Sequence, residues 1–592
     1  MATRTASALV SLAVSLTACG GGGYEPVGNP QPAPPPVGVT CVDRAELCAD
    51  QLLNGTTATL VNNGFYLPGT DSAAALHQFS GTLGITADSM SVSAGETTGR
   101  VFFPAIAVQY ISVGDVLLPL ERDVIRRGTA GAWDIILSPG KIWSESNDQG
   151  LSRASFPFTF VTNQWNEAHN GVATFLFDAV SVSNVQYQVT QETAVWNKAD
   201  MWGITSASYS PEVIGNAAQI EQDFLNEVGA RVEVKDWSAI GVDYPGADLS
   251  QFTRNIPATD ISASGILVDN TLYFRAANTR FGAYPYPLEM RHGVFSVTKS
   301  AQAALTMLRL AQKYGEQVFD LFVTDYLNVT ATHGGWNGVT FGHLLSMVAG
   351  IGDRFPDPNA QVTFADENDS SSQIWAAVWN SFARADKLAA AFRYGDYPWA
   401  PGQIVRYNTA HTFILGAAMH SFYEAMEGPN ANVWQMMRDE VYGPIGIQAL
   451  PTIQTVDDEP IPIYGFGLFL NAYDTARVSQ LLSNDGVYNG QQILHRVRTR
   501  QSMYKTTDMG FNTYASVPIV GSSQNARYLN SFWSFELVGP STCTARIPYM
   551  WGFGGNFVVI LQNGISAFRY ADGDVHDPAA LALATTGIRS VC

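Results

Sequence analysis

Three serines in this chain each stand three residues before a lysine, a spacing that can place a hydroxyl nucleophile beside a general base. The pairs are Ser138 with Lys141, Ser296 with Lys299, and Ser502 with Lys505. Residues three apart share one face of an α-helix, so the two side chains of such a pair can meet there. Because the spacing occurs three times, the surrounding sequence has to distinguish a reactive pair from a coincidental one.

The sequence after Ser296 predicts a buried amphipathic helix. Apolar residues recur at spacings of four and three, at Val297, Ala301, Ala304, Leu308 and Ala311. Gly315 stands where this helix is expected to end. A serine in the first turn of a helix lies among unpaired backbone N–H groups, which stabilise developing negative charge. A desolvated lysine on the same face has a lowered pKa and can accept the serine proton, so we predict a nucleophile with its base.

The other two pairs have ordinary structural interpretations. A proline and a glycine lie inside the pair that begins at Ser138, and they prevent the helical turn that would bring the two side chains together. We interpret that pair as part of a turn. The pair that begins at Ser502 lies in RVRTRQSMYKTTDMG, directly after three arginines, and we interpret this stretch as an exposed basic segment.

Two later stretches supply partners for Ser296. VRYNTAHTFILGAAM contains Tyr407, and MWGFGGNFVVI, from Met550 to Ile560, joins a glycine-rich turn to a strand-like run. The order of the three motifs resembles the serine β-lactamase and penicillin-binding protein superfamily. Within it, the chain is most similar to the class C β-lactamase-like branch, which includes family VIII-type carboxylesterases and 6-aminohexanoate dimer hydrolases. The resemblance runs from about Pro211 to Ser590.

The resemblance implies an acyl-transfer mechanism. Lys299, with help from Tyr407, would deprotonate Ser296, which attacks a carbonyl carbon and forms an acyl-enzyme. Tyr407 would then protonate the leaving group, and water would complete the hydrolysis. The backbone N–H groups of Ser296 and Asn556 would hold the oxyanion. No metal and no other cofactor is expected.

Two positions depart from the superfamily pattern and bear on the substrate. Thr409 stands where the Tyr-x-Asn element has its asparagine, and Phe553 stands where a lysine or histidine often lies. Phe553 cannot hold a substrate carboxylate, so a small or oligomeric carboxylic ester or linear amide is favoured. The expected substrate-binding residues are Thr409, Trp533, Phe553, Gly554 and Gly555. The alternatives are a D,D-peptidase or β-lactamase, and a non-catalytic envelope binding protein with the same fold.

The rest of the sequence predicts how these residues are positioned. In residues 40–205, β-branched and aromatic runs are separated by Gly, Asn, Asp and Pro turns, which predicts a β-rich accessory domain. Residues 206–592 contain a hairpin signal at Asp269 and Asn270, a helix-rich middle, further strands and an alanine-rich last helix. With the resemblance, this predicts an α/β (α+β) β-lactamase-like catalytic domain, in which helices flank an antiparallel sheet beside an all-helical region.

The N-terminus predicts export and lipid anchoring. Residues 1–18 have the charge and short apolar run of a signal peptide, and LTAC, which ends at Cys19, resembles a bacterial lipobox. By that resemblance, cleavage before Cys19 would leave this cysteine to carry lipids that anchor the protein to a membrane. Residues 19–39 are rich in Gly and Pro and predict a tether. The expected location is the bacterial cell envelope, in the periplasm or at the outer-membrane surface.

Composition limits the partners. The 592-residue chain has a formal net charge of −19, which makes nucleic acid a poor partner, and its 46% hydrophobic residues indicate globular domains. Apart from Cys19 it has Cys41, Cys48, Cys543 and Cys592, and an even number in an exported protein allows two disulfides. Of the three pairings we favour Cys41 with Cys48 and Cys543 with Cys592. The oligomeric state stays open.

Overall fold

The structure describes most of the chain but not its first 46 residues. The computed structural model describes residues 47–93, 100–126, 133–162, 164–193, 198–352, 373–513, 522–538, 544–573 and 575–591. The predicted signal peptide, the tether and Cys19 therefore lie outside the described residues. Cys48 is bonded in a disulfide. Its partner also lies outside the described residues, so the pairing stays a prediction. Within the described ranges, no helix is both long and apolar enough to cross a membrane.

The first large unit is an 11-stranded antiparallel sheet, which confirms the β-rich N-terminal region. Its strands are β1 (Ser80–Ile85), β2 (Ser91–Val92), β3 (Ile106–Val113), β4 (Val116–Pro119), β5 (Asp134–Leu137), β6 (Gly140–Trp143), β7 (Ser152–Val161), β8 (Ala168–Phe177), β9 (Val185–Glu192), β10 (Met201–Thr205) and β11 (Ala207–Pro211). Their order is β11-β1-β3-β4-β6-β7-β8-β9-β10-β2, and β5 pairs with β7. Because β11 pairs with β1, this sheet continues a few residues past Thr205.

Strands β7 and β8 are buried along their whole length because both faces of this part of the sheet are covered. On one face, the phenylalanines of FPFTF in β7 enter an aromatic core. On the other face, the Tyr284 hydroxyl donates to the backbone oxygen of Gly171, and the Tyr286 hydroxyl donates to that of Ser155. Residues that follow the first sheet in the chain thus cover its other face.

The second large unit is a nine-stranded sheet. Its strands are β12 (Glu233–Asp236), β13 (Ile261–Val268), β14 (Thr271–Arg275), β15 (Phe511–Asn512), β16 (Ser522–Leu529), β17 (Phe532–Val538), β18 (Thr544–Gly552), β19 (Asn556–Ile560) and β20 (Ile565–Ala571). Their order is β12-β14-β13-β20-β19-β18-β17-β16-β15, antiparallel except for the pair of β12 and β14. The predicted hairpin at Asp269 is confirmed as the turn from β13 to β14, where Asp269 has φ 55°.

Helices pack around the second sheet and confirm the predicted mixture of helices and an antiparallel sheet. The α-helices are α1 (Ala49–Asn54), α2 (Ala217–Ala230), α3 (Ile240–Asp243), α4 (Leu249–Phe252), α5 (Leu305–Tyr314), α6 (Phe341–Leu345), α7 (Gln373–Asn380), α8 (Arg384–Ala391), α9 (Thr409–Glu427), α10 (Val433–Met437), α11 (Ala472–Ser483), α12 (Arg496–Ser502) and α13 (Pro578–Thr585). Two-residue strands also pair outside the large sheets: Asp88–Ser89 with Phe102–Phe103, Asn278–Thr279 with Gly282–Ala283, His292–Gly293 with Phe469–Leu470, Ile351–Gly352 with Gly395–Asp396, and Val487–Tyr488 with Gln491–Gln492.

The helix predicted after Ser296 is present. It opens with a wide π-helical stretch at Lys299–Ala304 and continues as α5 until Gly315, where φ is 98°. The apolar stripe is buried, as its spacing predicts. A π-helical stretch inside an α-helix is uncommon and is often found at functional sites.

The two halves of the chain share one hydrophobic core. Ile136, Val161 and Ala168 of the first sheet belong to the same cluster as Leu305 and Leu308 of α5. The first sheet and the helix that follows Ser296 therefore contribute to one core.

Candidate active site

Ser296 and Lys299 are in direct contact. Ser296 is half-buried between fully buried neighbours, and Lys299 is 1% exposed. Lys299 Nζ lies 2.8 Å from Ser296 Oγ, 2.7 Å from Thr409 Oγ1 and 2.8 Å from the backbone oxygen of Gly465. The lysine thus joins the first motif to the second and to the segment around residue 465.

These three contacts determine what Lys299 can do. An uncharged amine has two N–H bonds and one lone pair. The carbonyl oxygen of Gly465 can only accept a hydrogen bond, and the hydroxyl oxygen of Thr409 can accept one as well. When those two oxygens take both N–H bonds, the lone pair is directed at the Ser296 hydroxyl. The arrangement is suited to transfer of the serine proton to Nζ.

The backbone around Ser296 is tightly turned. The N–H groups of Val297, Thr298 and Lys299 each donate to the carbonyl three residues earlier, and Phe295 has φ 46°, a left-handed conformation. Within the described residues, the Ser296 N–H donates to no acceptor. A free N–H at the positive end of a helix suits the developing negative charge of an oxyanion.

Tyr407 stands beside the Ser–Lys pair. Its ring centroid lies 4.8 Å from Lys299 Nζ. Behind it the ring packs against Trp533, at a centroid distance of 5.5 Å, and Tyr528, at 5.9 Å. Trp533 is almost fully buried, so it gives the Tyr407 ring a fixed surface to pack against.

The helix cap explains why Thr409, and not Asn408, faces Lys299. Asn408 is the residue before α9, and its side-chain oxygen accepts the N–H of Ala410 at 2.9 Å. This is the usual bond of an asparagine that caps a helix. The first helical residue, Thr409, then presents its hydroxyl to Lys299.

The glycine-rich third motif forms the turn between β18 and β19, against the segment that precedes Ser296. The rings of Phe553 and Phe295 lie 5.6 Å apart, and Phe553 is 43% exposed. A Cβ added at Gly552 would overlap the backbone oxygen of Val294, so only glycine allows this approach. The turn continues through Gly554 and Gly555, which both have positive φ.

Asn556 is fully buried at the start of β19. Its Nδ2 donates to the backbone oxygen of Phe553 at 2.6 Å, and its Oδ1 accepts the Ala571 N–H at 3.1 Å. Its side chain therefore fixes the shape of the turn. The role of the Asn556 N–H as an oxyanion donor stays a prediction.

Two residues of the site did not emerge from sequence reasoning. Gly465 supplies an acceptor for Lys299, and Gly552 permits the close approach to Val294. Gly465 lies in YGFGLFL, between the second and third motifs of the sequence. Its glycine character has a local cause, since a Cβ there would overlap the Thr409 side chain.

The other two serine–lysine pairs are not sites of this kind. Ser138 follows β5 and Lys141 lies in β6, as expected for a turn. Our interpretation of the third pair as exposed is wrong for Ser502, which is fully buried at the end of α12. The Ser502 hydroxyl donates to the Arg498 backbone oxygen, while Lys505 Nζ bonds Asp485. The side chains of this pair thus have separate structural partners.

One group of described residues has the composition of a metal site. Ligand atoms of His420, Glu424 and Glu459 lie within 4.8 Å of one another. Burial, together with the nearby charge of Arg384, lowers the pKa of His420 to about 4. Burial raises the pKa of Glu424 while the charge of Arg384 acts in the opposite direction, so this group already has a cation beside it. The group lies toward the far end of α9 from Thr409, and we assign it no role in the Ser296 site.

Comparisons with known proteins give one family. A family model described as Beta-lactamase matches residues 263–579, which include Ser296, Lys299, Tyr407 and the third motif. No curated protein sequence matches the chain significantly.

Solved structures with a similar fold have low sequence identity. A candidate 6-aminohexanoate-dimer hydrolase from Bacillus anthracis is 15% identical, with 57% of this chain and 80% of that chain covered and a TM-score of 0.41. A family VIII carboxylesterase is also 15% identical, with 62% and 97% covered and a TM-score of 0.39. A D-stereospecific amidohydrolase from Streptomyces sp. is 14% identical, with 57% and 98% covered and a TM-score of 0.38.

Proposed function

The chain belongs to the beta-lactamase family, and from that premise we propose that it is a serine hydrolase that cleaves carboxylic esters or linear amides. The observation that carries the proposal is the position of Lys299. Its Nζ is 2.8 Å from Ser296 Oγ, and two further oxygens, from Thr409 and Gly465, direct its lone pair toward that hydroxyl. A buried amine held in this way is a base for one specific serine.

The proposed reaction passes through an acyl-enzyme. Lys299 Nζ accepts the Ser296 proton as Oγ attacks the carbonyl carbon, and the carbonyl oxygen becomes an oxyanion. The Ser296 N–H and a second N–H from the third-motif turn, which we predict to be that of Asn556, stabilise this charge. Tyr407, beside Lys299, gives its hydroxyl proton to the leaving alcohol or amine, and the protonated Lys299 returns a proton to Tyr407. Water then attacks the acyl carbon while Lys299, again uncharged, accepts a proton from it, and that proton passes to Ser296 Oγ as the ester bond breaks and the acid leaves.

The aromatic surroundings of the site support an apolar acyl or alcohol group in the substrate. Phe553 is exposed beside Phe295, and Trp551 packs on Trp533 at a centroid distance of 5.1 Å. An exposed aromatic ring at this position attracts apolar surface and offers no charge to a carboxylate. We therefore propose an ester or amide hydrolase rather than a β-lactamase or D,D-peptidase.

We also propose that the enzyme is exported and held at a membrane of the cell envelope through lipids on Cys19. The lipobox-like LTAC and the Gly/Pro-rich tether support this location. Replacement of Cys19 by serine should move the protein from the membrane pellet to the soluble fraction. A Cys19→Ser protein that still sediments with membranes would contradict lipid anchoring.

A fluorophosphonate probe tests the catalytic assignment. The probe should modify Ser296, as read by peptide mass spectrometry, and Ser296→Ala should abolish both labelling and hydrolysis of nitrophenyl esters. Ser502→Ala is the matched control because it removes the serine of another Ser-x-x-Lys pair. Labelling of the wild type elsewhere, or an active Ser296→Ala variant, would refute the assignment. Rapid turnover of nitrocefin without ester hydrolysis would favour the β-lactamase alternative.

A further inference from the structure

One side chain of the first sheet reaches the segment that carries the proposed nucleophile. Asn166, between β7 and β8, is fully buried. Its Oδ1 accepts the Phe295 N–H at 2.7 Å and the Gly467 N–H at 2.9 Å, and its Nδ2 donates to the backbone oxygen of Leu468 at 3.1 Å. The amide thereby satisfies three backbone groups of the catalytic half of the chain.

The backbone groups that Asn166 holds belong to the two segments that define the Ser–Lys pair. Phe295 is the residue before Ser296 and has φ 46°. Gly467, with φ 117°, lies two residues after Gly465, whose carbonyl oxygen binds Lys299. A left-handed phenylalanine persists only where its surroundings hold it. Asn166 is the side chain that bonds its N–H and ties it to the lysine-binding segment.

The backbone of this part of the chain also contacts the segment that precedes Ser296. A Cβ added at Gly293 would overlap the backbone oxygen of Asn166. The Gly293 N–H also donates to the Thr193 hydroxyl, just after β9, at 3.2 Å. The contact with the nucleophile segment is therefore a fitted interface that involves both side chain and backbone.

We propose that Asn166 is a positioning residue of the active site, and that the first sheet, through Asn166, holds the turn that carries Ser296 in place. This inference rests on the proposed acyl transfer at Ser296. Asn166 acts through Phe295 and Gly467: it sets the direction of the Ser296 hydroxyl and N–H relative to Lys299. The loop between β7 and β8 thus supports the residues around Ser296, and the first sheet is more than a separate binding or spacing module.

The amide chemistry of Asn166 gives the proposal a specific signature. An ionised aspartate at this position could still accept from Phe295 and Gly467, but it has no hydrogen to give to the Leu468 oxygen. Protonation of that aspartate would restore a donor and with it the bonding pattern of the asparagine. An Asn166→Asp enzyme should therefore recover activity relative to the wild type as the pH falls.

The test compares Asn166 with an equally buried asparagine in the same sheet. Among the described residues, the Asn170 side chain bonds Thr159 and Gln191, both in the first sheet, and it provides the control variant Asn170→Ala. We expect Asn166→Ala to lower kcat for a nitrophenyl ester by about a hundredfold, the scale of a misplacement of about 1 Å, with KM changed by less than about threefold. Fluorophosphonate labelling of Ser296 should slow in parallel. Asn170→Ala should keep kcat within about threefold of the wild type.

The outcomes separate this inference from the proposed function. If the wild type is not labelled at Ser296, the proposed function fails. If the wild type is labelled and Asn166→Ala reacts equally fast, or if both asparagine variants lose kcat equally, the positioning role is refuted. Asn166→Asp keeps the shape of the side chain and covers the case in which the alanine variant does not fold. A ratio of its kcat to that of the wild type that stays flat from pH 8 to pH 5 would also refute the role.

Discussion

Replacing Thr409 by valine removes one contact of Lys299 and little else. Valine keeps the branched shape of threonine and replaces only the hydroxyl with a methyl group. The threonine Cγ2 atom, which occupies the space left by Gly465, has a counterpart in valine. The hydroxyl oxygen 2.7 Å from Lys299 Nζ is lost. The Thr409→Val variant therefore tests whether turnover depends on the Thr409 hydroxyl, which we propose directs the lone pair of Lys299.

The expected loss follows from the burial of the amine. Lys299 is 1% exposed, so water cannot replace the missing acceptor. A buried donor left without a partner costs about 1–3 kcal/mol. Lys299 can avoid that cost only by turning an N–H toward Ser296, which removes the lone pair from the reaction. Since about 1.4 kcal/mol corresponds to a factor of ten in rate, kcat should fall by roughly 5- to 150-fold.

Steady-state kinetics on a nitrophenyl ester distinguish this role from substrate binding. If Thr409 positions Lys299, kcat falls while KM stays within about threefold; if Thr409 instead contacts the substrate, as its position in the motif predicts, KM rises. Thr409→Ser keeps the acceptor and is the control, with kcat expected within about threefold of the wild type. A Thr409→Val enzyme with unchanged kcat would refute the proposed direction of the lysine lone pair.

Three other predictions address the turn, the substrate and the response to pH. Gly552→Ala forces a Cβ onto the Val294 oxygen and should lower both thermal stability and fluorophosphonate labelling, as measured by calorimetry and gel fluorescence. Phe553→Ala removes exposed apolar surface and should raise KM for long-chain nitrophenyl esters more than for the acetate. Burial raises the pKa of Asp572 to about 7 in spite of Lys198, so the folded protein binds this proton more tightly than the unfolded chain. The free energy of unfolding should then fall as the pH rises from about 4 to about 7, by about 2–4 kcal/mol from this group, and urea titrations of Asp572→Asn should lack that part of the change.

The sequence was sufficient for the parts of the site that depend on local pattern. The 4–3 spacing of apolar residues identifies the helix after Ser296, and the Asp269 turn identifies a hairpin. The contacts that direct Lys299 join residues 110 and 166 positions apart, and no local pattern reports them. The burial of Ser502 cannot be read from the local sequence for a similar reason: the neighbouring arginines indicate exposure, while the serine lies on the inward face of α12.

Asn166 is another residue whose role cannot be predicted from the local sequence. Buried asparagines in a β-rich region are usually interpreted as satisfying the sheet itself, and Asn170 does so. Nothing in the sequence near residue 166 distinguishes the two. The difference arises only because the loop between β7 and β8 meets the nucleophile segment in space.

The long-range hydrogen bonds of Asn166 also determine at what stage of biosynthesis the protein can become active. Its bonds to Phe295 and Gly467 span 129 and 301 positions. Contacts this distant in sequence form late in folding, because the entropy of closing a long loop must be overcome before they contribute. A nascent or partly folded chain can thus contain Ser296 and Lys299 without the geometry that makes the serine reactive. We expect the proposed hydrolase to stay inactive until its folding is complete. The unfinished chain would then not hydrolyse the esters of the cell that makes it.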